Sequence, residues 1–150
     1  PASTSTLDDL FNGEFIPVID DAREPRQARR IVACSGRVWF DLEAQRETLG
    51  LEDVALVRIE QLYPFPEQAF RAVLDAYPQA ETFIWAQDEP MNQGAWFQTL
   101  HHLNHCAPGG RSFHYAGRPA AAAPASGYVS RHRAELEALL KDALETQYED

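Results

Sequence analysis

The sequence predicts an α/β domain, a mainly parallel β-sheet with helices on both faces. Three observations lead there. Residues 30–35, 54–59 and 82–86 are short apolar runs without polar alternation, as in strands buried on both faces. The stretches between them carry apolar residues at helical spacing. The resulting order, one strand, then three strand–helix units, then a strand and a helix, requires the crossover connections that make neighbouring strands parallel.

The elements follow in order. Residues 1–13 are polar and Ser/Thr-rich and read as a linker that docks elsewhere. Within it Leu7, Leu10 and Phe11 fit one amphipathic turn with Thr6 as cap. Residues 15–19 form a short strand, and Pro17, which cannot donate to a ladder, places it at a sheet edge. Residues 30–35 are a buried strand; Ser35-Gly36 then turns the chain into a helix with Val38, Trp39, Leu42 and Leu49 as its apolar positions. After the strand at 54–59, Pro64 and Pro66 make residues 62–66 a rigid extended turn. Pro66 fits the first position of the next helix, whose stripe is Ala69, Phe70, Val73, Leu74 and Tyr77 and which Pro78 ends. Residues 82–86 are the third buried strand. A turn follows, with Asn92 as N-cap of a helix over 93–106 that turns Trp96, Leu100 and Leu103 to one side. Residues 112–116 form a strand, 117–127 a Gly/Pro/Ala loop, and 129–146 a helix with Leu136, Leu139, Leu140, Ala143 and Leu144 as its stripe.

A chain of 150 residues is long enough for one domain with a full core. The net charge of -10 argues against nucleic-acid binding. No apolar run is long enough for a transmembrane helix, so no membrane partner is expected. The first residues lack the charged and apolar regions of a signal peptide, and, without an initial Met, the chain is expected to be a piece of a longer one. The expected compartment is cytoplasmic. Cys34 and Cys106 read as small buried hydrophobes rather than a disulfide framework.

Candidate site residues lie at the turns. Asp88 and Glu89 precede a helix N-terminus, where the macrodipole favours negative charge. Gly94 permits close approach of another group. Arg58 and Glu60 share one face of their strand, and an ion pair of Arg58 with Asp88 or Glu89 is expected. A catalytic carboxylate pair there would need a nucleophile or a metal set, and neither accompanies it. Ser35-Gly36 is a weak anion signal, without a GxGxxG or Walker loop. His101 and His105 are four apart and could face one metal, but no third ligand has suitable spacing; they read as surface or interface histidines. Arg131, His132 and Arg133 crowd the start of the last helix. With Arg118 they are the candidate site for an anionic effector; the alternative is salt bridging to acids on a neighbouring surface.

Four ordered motifs then resemble one family. They are Ala33-Cys34-Ser35-Gly36-Arg37; the run from Val57-Arg58-Ile59-Glu60-Gln61 through Leu62-Tyr63-Pro64-Phe65-Pro66; the run from Gln87-Asp88-Glu89-Pro90-Met91 through Asn92-Gln93-Gly94-Ala95-Trp96; and Gly117-Arg118-Pro119 with Pro124-Ala125-Ser126-Gly127-Tyr128. Together they are similar to the C-terminal domain of the E1 component of 2-oxoglutarate dehydrogenase complexes, over about residues 7–145. The resemblance implies a fold like the transketolase C-terminal domain: three layers around a five-stranded mixed sheet whose first strand is antiparallel at an edge. Residues 1–13 would link to a preceding domain and 14–150 would form this one.

The resemblance also implies a homodimeric enzyme that uses thiamin diphosphate and Mg, decarboxylates 2-oxoglutarate and passes the succinyl unit to lipoyl-E2, with E3 as a further partner. The cofactor motif lies outside this chain, so no catalytic, cofactor-binding or metal residue is assigned here. The domain is expected to be inactive alone, to help build the dimer and to carry regulation; some actinobacterial members use it for an acetyl-CoA effector. Arg58, Glu60, Asp88, Glu89, Asn92 and Trp96 are the candidate interface with the preceding domains or the second subunit. The chain departs from the family at Arg37 (commonly Lys), Asp88 (commonly Glu), Ala121 and Ala123 (commonly Ser) and Ser130 (commonly Lys), which removes hydroxyls and a cation from the effector region. Two other readings stay open. One is an E1 for another 2-oxo acid such as 2-oxoadipate; the other is a free-standing nucleotide- or CoA-binding module.

Overall fold

The continuous apolar runs become the centre of the sheet because both of their faces are covered. In a computed structural model of the chain, which describes residues 7–123 and 127–148, β2 (Arg30–Cys34) is buried at every position and lies parallel between β3 (Val54–Ile59) and β4 (Thr82–Pro90). β1 (Val18–Ile19) pairs antiparallel with β3, and β5 (Phe113–Arg118) pairs parallel with β4. The order is β1-β3-β2-β4-β5. This is the expected five-stranded mixed sheet with its first strand antiparallel at an edge.

Side chains alternate between two cores. Ile31, Ala33, Val57 and Trp85 face α3 (Glu67–Asp75) and α4 (Trp96–Cys106), packing with Phe70, Leu74 and Leu103. Val32, Cys34, Leu56 and Ile84 face α2 (Val38–Leu49) and α5 (Val129–Leu144), packing with Leu42, Leu139, Leu140 and Ala143. Two helices on each face give three layers. Among the described residues, no helix is long and apolar enough to cross a membrane.

Several boundaries differ from the sequence expectation. The first strand shrinks to two residues, leaving Phe15 and Ile16 exposed. Pro17 serves only as an acceptor, its carbonyl taking the N–H groups of Glu60 and Gln61 at 2.8 and 3.2 Å. Pro66 has φ −83° and ψ 61° and immediately precedes α3 instead of opening it. Ala69 and Leu49 face solvent. β4 continues to Pro90, so Gln87, Asp88 and Glu89 belong to a strand and not to a turn. α4 starts at Trp96 rather than Gln93, and α5 ends at Leu144 rather than Thr146. Leu7–Asn12 form the short helix α1; the expected Thr6 cap lies outside the described residues.

A buried ion pair that the hydrophobic pattern does not reveal closes the edge of β3. β1 covers only the last two residues of β3, so Leu56 N–H has no strand partner there. Asp21 Oδ2 accepts that N–H at 2.7 Å. Arg46, from α2, binds Asp21 and donates to the Val54 carbonyl at 2.8 Å. The pair satisfies both strand groups and blunts an edge that would otherwise be open to pairing.

Candidate functional site

In an open sheet the crevices lie outside the carboxyl ends of the strands, above all where the chain switches direction. Here that point is between β2 and β4. The ladder between β4 and β5 shifts between Gln87, opposite Gly117, and Pro90, opposite Arg118. Asp88 and Glu89 therefore sit in a bulge, which re-aims their side chains.

Gln87 organises this edge from beneath. Its buried Oε1 accepts the Trp85 indole N–H and the Trp96 backbone N–H, both at 2.9 Å. Its Nε2 donates to the carbonyls of Glu89 and Pro90 at 3.2 and 3.1 Å. Gln87 thus supplies the partner that a capping side chain would give the first turn of α4. Gly94 is required by the same packing, since a Cβ there would lie 2.4 Å from Gln87 Nε2. Asn92 does not cap α4: it accepts the Ala121 N–H at 3.0 Å and donates to the Ala121 carbonyl at 3.1 Å. The amide pins the loop after β5 because that loop, far in sequence, offers both backbone groups at once.

Arg118 is the second hub. Buried at the end of β5, it donates to Asp88 Oδ1 at 2.8 Å, to the Asp88 carbonyl at 2.6 Å and to Glu135 Oε2 at 2.5 Å. His132 Nδ1 lies 3.0 Å from Arg118 Nη2 and can only be the acceptor there. Glu135 also accepts from Arg131 at 2.7 Å. Burial works against the Arg118 charge, but its hydrogen bonds to Asp88 and Glu135 outweigh burial and raise its pKa. The Arg131 hydrogen bond, and after it that of Arg118, holds the Glu135 carboxyl below the usual carboxylate range. The fold thus brings Arg118, Arg131 and His132 together and leaves Arg133 exposed on α5. The two acids that partner them, Asp88 and Glu135, come from β4 and α5, where spacing gives no sign of the meeting. Pro90, Pro119, Ala121, Tyr128 and Arg131 line a cleft of about 240 Å³ over this network.

A second crevice, of about 290 Å³, lies at the switch point between Ser35-Gly36-Arg37 and Gln87-Asp88-Glu89. Arg58 does not reach Asp88 or Glu89. Its Nε is 2.8 Å from Glu60 Oε1, in an ion pair whose N–H is out of line for a hydrogen bond, and its guanidinium lies over Trp39 at 5.2 Å. The aromatic pair at the start of α2 captures Arg58, while the bulge hands Asp88 to Arg118. Glu60 and Glu89 stay exposed, and Trp96 is buried against Tyr115.

On α4, His102 Nδ1 meets Glu67 Oε1 at 2.6 Å and its ring stacks on Phe65 at 4.8 Å. His105 Nε2 is 3.9 Å from Glu67 Oε2. Among the described residues, no group of three His, Cys, Asp or Glu could hold a metal ion. Burial raises the Cys34 thiol to about 12, so it is not a nucleophile at neutral pH.

The chain that folds into this three-layer mixed sheet, with an arginine-centred network at its carboxyl edge, is matched over residues 4–144 by a family model described as 2-oxoglutarate dehydrogenase C-terminal. The chain belongs to that family. It is 44% identical over 146 residues to the 2-oxoglutarate dehydrogenase E1 component of Haemophilus influenzae, covering 96% of this chain and 16% of that protein. It is 46% identical over 147 residues to the protein of the same name from Azotobacter vinelandii, covering 95% and 16%. The chain therefore spans about 16% of the length of these relatives.

Proposed function

We propose that this chain is the C-terminal domain of a 2-oxoglutarate dehydrogenase E1 component, residues 1–13 leading from a preceding domain and 14–150 forming the unit. The parent enzyme would use thiamin diphosphate and Mg to decarboxylate 2-oxoglutarate and hand the succinyl group to lipoyl-E2, in a cytoplasmic complex that includes E3. The observation that carries this reading is 44–46% identity across nearly the whole chain to proteins of that name. Asp88 and Glu135, the two acids of the Arg118 network, do not fit Mg-diphosphate, because Arg118 already binds both. The chemistry is assigned to the rest of the polypeptide, and no step is derived through this chain.

Its own roles would be assembly and regulation. Arg58, Glu60, Asp88, Glu89, Asn92 and Trp96 would shape the edge that meets preceding domains or the second subunit. Of these, the exposed Glu60 and Glu89 would make the contact and the buried Trp96 would support it. Arg118, Arg131, His132 and Arg133 would receive an anionic effector such as acetyl-CoA or AMP, which must displace Glu135 from its two arginines. Steady-state kinetics of the full-length protein on 2-oxoglutarate and 2-oxoadipate test the substrate, and a higher kcat/KM for 2-oxoadipate would overturn it. Calorimetry of the full-length protein with acetyl-CoA and AMP tests the effector: heat that Arg131→Ala abolishes supports it, and no heat excludes it.

A further inference from the structure

We propose that Phe15, Ile16, Leu62 and Tyr63 form a docking patch for an apolar surface on the preceding part of the same polypeptide. This rests on the reading of the chain as the C-terminal part of a longer protein. The Pro17 carbonyl accepts both Glu60 and Gln61 N–H groups, which lays residues 15–16 beside residues 61–62. Gln61 Nε2 donates to the Pro64 carbonyl at 2.6 Å and fixes the loop that carries Leu62 and Tyr63. Four large apolar residues thus lie on two adjoining segments at the carboxyl end of β3, with exposures of 69% for Phe15, 55% for Ile16, 37% for Leu62 and 92% for Tyr63. Single exposed hydrophobics such as Leu49 need no explanation, but a contiguous group marks an interaction surface. Four such side chains offer on the order of 500 Å², comparable to one side of an interdomain contact.

The occupant follows from the tether. Phe15 is continuous with α1, which exposes Leu7 and Phe11 four residues apart. The arm leads from the patch toward the amino-terminal side. The matched family is a C-terminal one and the chain spans about 16% of its relatives, so most of such a polypeptide lies on that side. A neighbour on the same polypeptide is held at an effective concentration that no free partner shares. The patch carries no Lys or Arg, so an apolar surface suits it and an acidic one does not.

Nitration of Tyr63 by tetranitromethane in the full-length protein tests this, with sedimentation and decarboxylation measured on the same samples. The expected result is nitration at least tenfold slower in the native protein than in urea. Ile16→Ser/Leu62→Ser should restore fast nitration at unchanged oligomeric mass, and Ile16→Val/Leu62→Met should keep the protection. Fast nitration of the native wild type would overturn the proposal. So would loss of protection that comes with dissociation into smaller oligomers, because a second copy would then be the occupant. Fast nitration with decarboxylation intact defeats the docking alone; protection without turnover of 2-oxoglutarate defeats the functional reading alone.

Discussion

Gln87 and Gly94 show how much of this edge depends on single side chains. Gln87→Ala would leave the buried Trp85 indole N–H and the Trp96 backbone N–H without their shared acceptor. The expected loss is about 2–3 kcal/mol, read as a lower denaturant midpoint. Gly94→Ala drives a methyl into the same amide, at about 1–3 kcal/mol; equal midpoints for wild type and variant would contradict this geometry. Cys34 gives a chemical test. With its thiol pushed up to about 12 by burial, iodoacetamide at pH 8 should leave it unlabelled in the folded chain and label it once denatured. Burial of Cys34 could be read from its place in an apolar run. The role of Gln87 could not, because its four partners assemble only when the strand, turn and helix are in place.

Among the elements, α5 is held at both ends. At its C-terminal end Arg30, from β2, donates to the carbonyls of Ala143 and Thr146 at 3.1 and 2.7 Å, placing a cation where the macrodipole favours one. Arg30→Ala should cost about 1–2 kcal/mol and raise hydrogen exchange in the last turn of α5. At the other end Glu135 meets Arg131 and Arg118. The Glu135 pKa is lowered in the folded chain, so its contribution is complete above the ordinary carboxylate value of 4.5 and is lost as pH falls through the depressed folded value. Glu135→Gln should flatten the acid limb of the stability curve in this window; an unchanged limb would remove Glu135 from the account. The α3 stripe apart from Ala69, and the α5 stripe, were legible because helical periodicity and burial agree there. The start of α4 was not, since Asn92 has better partners in the loop after β5 than in its own helix.

For the whole molecule, the parallel sheet was readable because strands covered on both faces leave uninterrupted apolar runs. The Asp21–Arg46 seal and the Arg118 network were hidden because each joins residues from separate elements. At the switch point Asp88 is taken up by Arg118, and the proposed function puts the chemistry in the rest of the polypeptide. Carbon dioxide release from 2-oxoglutarate, with thiamin diphosphate and Mg, measured on the native polypeptide and on residues 1–150 side by side, tests this most directly. The account predicts cofactor-dependent turnover by the native polypeptide and none by this chain. Turnover by residues 1–150 alone, or a native polypeptide that does not decarboxylate 2-oxoglutarate, would contradict it.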